Sequence, residues 1–174
     1  TVLVLAEDLT MPSGLAIRGN DLYIAALSDI LKISNIDQRL NQLKDPEIIY
    51  RGFPNKRHHG WKFIDFGPDG LLYVPVGAPC NICLSDNPVF ASIQTLDVTA
   101  QPMIPQTFAS GVRNSVGFTW HPETGHLWFT DNGRDLLGDE RPPCELNEAS
   151  QRGQHFGYPF IHGSSIADPK FGKK

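Results

Sequence analysis

The chain has 174 residues, enough for one ordinary hydrophobic core, with 40% apolar residues and a formal net charge of −4. With that charge and no basic stripe, the sequence argues against a nucleic-acid partner, and no apolar run approaches the ~20 residues of a membrane span. The 16 glycines and 14 prolines exceed average usage and suit turn-rich β structure.

The first residues, Thr1-Val2-Leu3-Val4-Leu5, carry no charged n-region and read as part of a strand rather than a signal peptide. Residues 14–24 (GLAIRGNDLYI) form an apolar strand, a tight Gly-containing turn and a second strand. Residues 30–33 and 47–50 complete that unit, while residues 35–44 could hold a turn or two of helix but read better as a connecting loop. A second unit opens at residues 60–74 (GWKFIDFGPDGLLYV) and continues through 92–98 and 105–109. A third has apolar runs at 116–120 and 126–130 around His121-Pro122-Glu123-Thr124-Gly125, where Pro presets φ and Gly accepts φ > 0. Leu22, Leu72 and Leu127 occupy the same place in the three hairpins, 50 and 55 positions apart.

A hairpin recurring at that period is the mark of propeller blades. The expected fold class is therefore all-β, a β-propeller. Residues 1–174 form part of a single propeller domain, with approximate blades 1–52, 53–110 and 111–174. At ~50 residues per blade this is about three to three and a half blades, fewer than close a ring, so further sequence is expected to complete it.

Three cysteines do not make a disulfide framework. Cys80 and Cys83 form a C-x-x-C that lacks the following His of a haem site and the further ligands of a zinc site. A local disulfide, two free thiols and a redox-active pair all remain open.

Three clusters could carry chemistry. His58-His59 precedes the second unit's first strand, where a His near a propeller axis could act as a general base or merely pack in the loop. Arg113-Asn114 stands in the same place ahead of the third unit, and its guanidinium could bind a planar anion or a loop carboxylate. Residues 131–145 are acidic and Gly-containing; they could bind Ca²⁺ or form a solvated loop.

Taken together, the motifs HHGW, FGPDGLLYVPVGAPCNIC, GVRNSVGFTWHP, LWFTDNGRD, ELN and GQHFGYPFIHG resemble the soluble quinoprotein sugar dehydrogenases, most closely their sorbosone dehydrogenase-like branch. The likeness runs from about Leu9 to Phe171. It implies a six-bladed β-propeller that binds pyrroloquinoline quinone (PQQ) and calcium. Such an enzyme oxidises a sugar or related alcohol or aldehyde and passes electrons to an external acceptor.

By the same resemblance His59, eight residues before Gly67, is the catalytic base, and Arg113 and Asn114 contact the quinone. Gly133 and Arg134 supply backbone carbonyls to the calcium held against it. Glu145, with the carbonyls of Phe156 and His162, matches a second, structural calcium site. Three positions depart from the family: His58 replaces an often acidic residue, Arg134 a usual Pro, and Cys144 a common Asp. The resemblance further implies a periplasmic or secreted location. The 174 residues alone are expected to be inactive or weak, since further quinone ligands lie in later blades. Two other classes remain: a calcium-dependent lactonase-like hydrolase and a non-catalytic propeller scaffold.

Overall fold

The computed structural model describes residues 2–40 and 45–173. Strands β1 (Gly14–Arg18), β2 (Asp21–Ala25), β3 (Asp29–Ile33) and β4 (Glu47–Arg51) form a four-stranded antiparallel sheet in chain order. Gly19 at φ 60 and Asn20 make the two-residue loop that pairs Arg18 with Asp21. Between β3 and β4 lies one helical turn, α1 (Ile36–Arg39), where the sequence favoured a loop. Asn35, left-handed at φ 53, starts that turn, and its N–H donates to Asp21 Oδ1 at 3.0 Å. The rest of the expected loop, residues 41–44, lies outside the described residues.

The second sheet comprises β5 (Asp65–Phe66), β6 (Leu72–Val76), β7 (Ser92–Leu96) and β8 (Gln106–Ser110), again antiparallel in chain order. The third comprises β9 (Phe118–Trp120), β10 (Leu127–Asp131) and β11 (Glu145–Ala149). Its first strand is shorter than the apolar run suggested, because Val116 is 46% exposed and stands outside the ladder. Three short strands follow. β12 (Gln154–His155) adds in parallel to the outer edge of β8, and β13 (Ile161–His162) pairs with β14 (Ile166–Ala167).

The core is a consequence of period-two alternation. Along β6, Leu72, Val74 and Val76 face the first sheet, packing with Ala16, Tyr23 and Ile64. Tyr73, on the opposite face, packs with Phe118, Leu127 and Phe129 of the third. Leu72 and Val74 are fully buried, each contributing about 1.5–3 kcal/mol of apolar transfer. The outer face of the first sheet is covered by Leu5, Ala6 and Leu9. That segment is no strand, against the sequence expectation: Val2, Leu3 and Val4 are exposed, and residues 2–5 pair with no neighbour among the described residues. No helix among the described residues is long and apolar enough to cross a membrane.

Candidate active site

The loops entering β5 and β9 and those leaving β6 and β10 meet at one end of the strands of the second and third sheets. In the first of them, Gly60 N–H donates to the Arg57 carbonyl at 3.0 Å, closing a tight turn. A Cβ at Gly60 would lie 2.6 Å from Leu27 Cδ1 and 2.8 Å from the Lys56 carbonyl, so the turn requires glycine. Its neighbour His59 is half-buried and left-handed at φ 50, a conformation that costs energy and recurs at functional sites.

His59 Nδ1 lies 2.9 Å from the Ala78 carbonyl. A carbonyl only accepts, so Nδ1 carries the proton and Nε2 presents its lone pair. Burial, then the positive charge of Arg113 and the neighbouring His58, lowers the His59 pKa to about 4. The imidazole is therefore neutral around pH 7. His58 is exposed, with its ring 4.0 Å from that of His59. The group orienting His59 is thus a main-chain carbonyl.

Arg113 is 4% exposed and almost saturated. Nε donates to the Asn81 carbonyl at 2.9 Å, Nη1 to the Asn132 carbonyl at 2.9 Å, and Nη2 to Asn81 Oδ1 at 2.8 Å and Asp135 Oδ2 at 3.4 Å. These bonds fix the plane of the guanidinium and leave one Nη1 hydrogen for a ligand. The main chain is pinned as well. Arg113 N–H and Asn114 N–H donate to the two oxygens of Asp131 at 2.8 and 2.6 Å. Burial pushes the Asp131 carboxyl up to about 7 against the effect of those two bonds. Among the described residues, no hydrogen bond engages the Asn114 carboxamide.

Gly133 and Arg134 follow Asn132 directly, and no hydrogen bond ends on their carbonyls among the described residues. Arg134 Nη1 donates to buried Asp168 Oδ2 at 2.6 Å, and His162 Nε2 meets the same oxygen at 3.0 Å. Glu145 pairs with Asp131 across the β10–β11 ladder, and its carboxylate accepts from Gly163 N–H at 2.6 Å and Asn147 Nδ2 at 2.9 Å. Glu145 thus stands beside His162-Gly163. Phe156 instead is tied to β8 through Ser110 and stacks edge-on against Phe129, with no bond to Glu145 or His162 among the described residues. Cys144 is an exposed free thiol, 3.9 Å from Asn132 Oδ1.

The structure brings His59, Arg113, Asn114 and Arg134 into one bonded network, with Gly133 between Asn132 and Arg134 in the chain. It adds residues to which the sequence assigned no role: Ala78, which bonds both His59 and the Arg113 carbonyl; Asn81, which clamps Arg113; and Asp168, which holds Arg134. Ala78 and Asn81 lie in the conspicuous GAPCNIC motif, but the main-chain contacts of Ala78 leave no signature in side-chain type, and the partners of the Asn81 carboxamide are 32 and 54 positions away.

The glucose/sorbosone dehydrogenase family model matches residues 25–173, and the chain belongs to that family. A Borreliella burgdorferi protein described as uncharacterized is 29% identical, across 94% of this chain and 45% of its own length. The calcium structure of a Trichoderma reesei carbohydrate-active enzyme of family AA12 superposes with a TM-score of 0.72 at 23% identity, covering 92% of this chain and 47% of that one. The holo PQQ domain of a Coprinopsis cinerea pyranose dehydrogenase gives 0.66 at 15% identity, covering 87% and 55%. PQQ-bound aldose sugar dehydrogenase from Streptomyces coelicolor gives 0.56 at 19%, covering 95% and 68%. The fold is that of a β-propeller, and the chain spans about half the length of the first of these relatives.

Proposed function

We propose that the protein carrying this chain is a PQQ-dependent dehydrogenase that oxidises a sugar or a related alcohol or aldehyde. The observation that carries the reading is a neutral His59, with Nδ1 committed to Ala78 and Nε2 free to accept, one residue removed from a fixed Arg113. In this reading residues 1–174 are part of one propeller domain with blades near 1–52, 53–110 and 111–174. β12 then reaches back from the third blade to the edge of the second.

The donor set fits an anionic quinone and a hard cation. The remaining Arg113 donor and the unengaged Asn114 carboxamide suit carboxylate or quinone oxygens. The carbonyls of Gly133 and Arg134, which accept no hydrogen bond among the described residues, suit calcium, which takes oxygen ligands. Among the described residues, no group of three His, Cys, Asp or Glu gathers to hold a metal, so a cation here would be held largely by carbonyl oxygens. At the second calcium position, Glu145 would share an oxygen already bonded by Gly163 or Asn147, beside the His162 carbonyl. The resemblance assigns the Phe156 carbonyl to that set as well, although Phe156 is bonded to Ser110 rather than to Glu145 or His162 among the described residues.

Bound here, PQQ would supply the hydride acceptor, and calcium would polarise its carbonyl. The chain's own part is positional and acid–base. His59 Nε2 takes the proton of the substrate hydroxyl, and the Ala78 carbonyl steadies the imidazolium that results. Arg113, unable to swing, holds an anionic oxygen at a fixed place relative to His59. An external acceptor would remove the electrons. The Cys80–Cys83 disulfide supports a periplasmic or secreted location.

The test is dye reduction by the protein carrying this chain, loaded with PQQ and calcium, across a panel of aldoses. Turnover that needs PQQ and falls about 10²–10⁴-fold in His59→Ala is expected. Lactone hydrolysis without PQQ, or full turnover by His59→Ala, would overturn the reading.

A further inference from the structure

Residues 77–91 join β6 to β7 with no strand or helix of their own, and a loop of that length is ordered only if other contacts hold it. Near its start the Cys80–Cys83 disulfide closes a small ring. Inside that ring Asn81 makes four hydrogen bonds. Its main-chain carbonyl accepts from Arg113 Nε at 2.9 Å, and Oδ1 accepts from Arg113 Nη2 and from Asp135 N–H, both at 2.8 Å. Nδ2 donates to the Asp135 carbonyl at 3.1 Å. Tyr158 holds the ring from another direction: its hydroxyl oxygen accepts from Cys83 N–H at 3.0 Å and lies 3.6 Å from Cys80 Sγ.

Two of the three guanidinium nitrogens of Arg113 therefore end on one residue. A buried guanidinium keeps its place only while acceptors meet its N–H groups. Asn81 lies in no ladder that would hold it; the covalent ring and Tyr158 define its position. The order of dependence runs from the disulfide to Asn81 and from Asn81 to Arg113.

We propose that Asn81 is a positioning residue for Arg113 and that the Cys80–Cys83 disulfide is the clasp that keeps it in place, so that reduction by a dithiol loosens Arg113 and weakens its hold on an anionic ligand. A thiolate of the dithiol attacks one sulfur, forming a mixed disulfide and releasing one cysteine thiolate. Its second sulfur then displaces the other cysteine. Two electrons and two protons pass to Cys80 and Cys83, and the dithiol leaves as a cyclic disulfide. The effect on ligand affinity rests on Arg113 contacting PQQ; the coupling of the clasp to the Arg113 side chain does not.

The experiment uses the protein carrying this chain with ¹⁵N-labelled arginine, oxidised or treated with dithiothreitol. The Arg113 Nε–H resonance is assigned through its loss in Arg113→Lys, and PQQ affinity is read by tryptophan fluorescence. Reduction, or the paired changes Cys80→Ser and Cys83→Ser, should broaden or shift the Nε–H resonance and raise the PQQ Kd about tenfold. Dithiothreitol should do nothing further to the paired variant. Asn81→Ala should raise the Kd about as much while keeping the Nε–H resonance, since the main-chain acceptor remains. An Arg113 resonance unchanged by reduction and by the paired variant overturns the clasp, and wild-type PQQ affinity in Asn81→Ala overturns the positioning role. If the wild type binds no PQQ, the quinone reading fails, and the resonance alone decides for or against the clasp.

Discussion

His59 and Arg113 are joined through the main chain of a single residue, Ala78. His59 Nδ1 donates to the Ala78 carbonyl at 2.9 Å, and Ala78 N–H donates to the Arg113 carbonyl at 2.8 Å. The candidate base and the candidate anion contact come from loops preceding different sheets, yet their separation is set by Ala78, two residues beyond the end of β6. Displacement of that loop start should therefore disturb both groups together.

Gly77 is where this coupling is most exposed to test. A Cβ there would lie 2.5 Å from His59 Cβ and 2.8 Å from the His59 carbonyl. Main chain cannot rotate aside as a flexible side chain can, so Gly77→Ala should cost roughly 1–3 kcal/mol in urea unfolding. Dehydrogenase turnover should fall with it. Wild-type stability and turnover in this variant would show that His59 does not depend on the close approach.

The low pKa of His59 has a definite sign. The folded protein holds His59 neutral down to about pH 4, whereas an unfolded chain protonates it near ~6.5. Between those values the unfolded state binds more protons, so the His59 contribution to stability falls as pH drops from ~6.5 through about 4. For activity, the acid limb of kcat/KM should lie near pH 4 rather than near ~6.5. Measuring kcat/KM from pH 3.5 to 8 checks this, and a limb near 6.5 would contradict the buried neutral imidazole.

Asp131 holds two main-chain N–H groups, those of Arg113 and Asn114. Asp131→Ala would leave both without an acceptor at a site 4% exposed. At about 1–3 kcal/mol for each stranded donor, a loss of roughly 2–6 kcal/mol is expected in urea unfolding. A loss below ~0.5 kcal/mol would mean that water or another group takes over both bonds.

Asp168 gathers Arg134 and His162 on Oδ2 and the N–H groups of Lys170 and Phe171 on Oδ1. Burial alone would raise its pKa, but the bonds from His162, Phe171, Arg134 and Lys170 outweigh burial and hold the carboxyl well below the usual range. A depressed carboxylate contributes stability that is present above its unfolded pKa and lost as pH falls through the folded value. Asp168→Asn sets an NH₂ donor against Arg134 or His162 and should cost about 3–5 kcal/mol at pH 7. The gap to wild type should narrow at pH 2–3, as unfolding curves at the two pH values would show.

Much of the architecture is local and therefore legible in the sequence. Leu-aromatic-aliphatic runs at Leu22 and Leu72, and the Leu-Trp-Phe run at Leu127, alternate with period two, so the hairpins and their spacing follow from side-chain type alone. Polar pairs just ahead of inner strands mark His59 and Arg113 by the same logic. The rest depends on which distant atoms meet. β12 is two residues long, too short to show a period, and it joins the second sheet only because the chain returns to β8. Asn81 reads as an ordinary loop asparagine until the Cys80–Cys83 bond and Arg113 fix it. Ala78 contributes only its main-chain N–H and C=O, a pair that every residue but proline possesses, so its place between His59 and Arg113 is decided by tertiary packing.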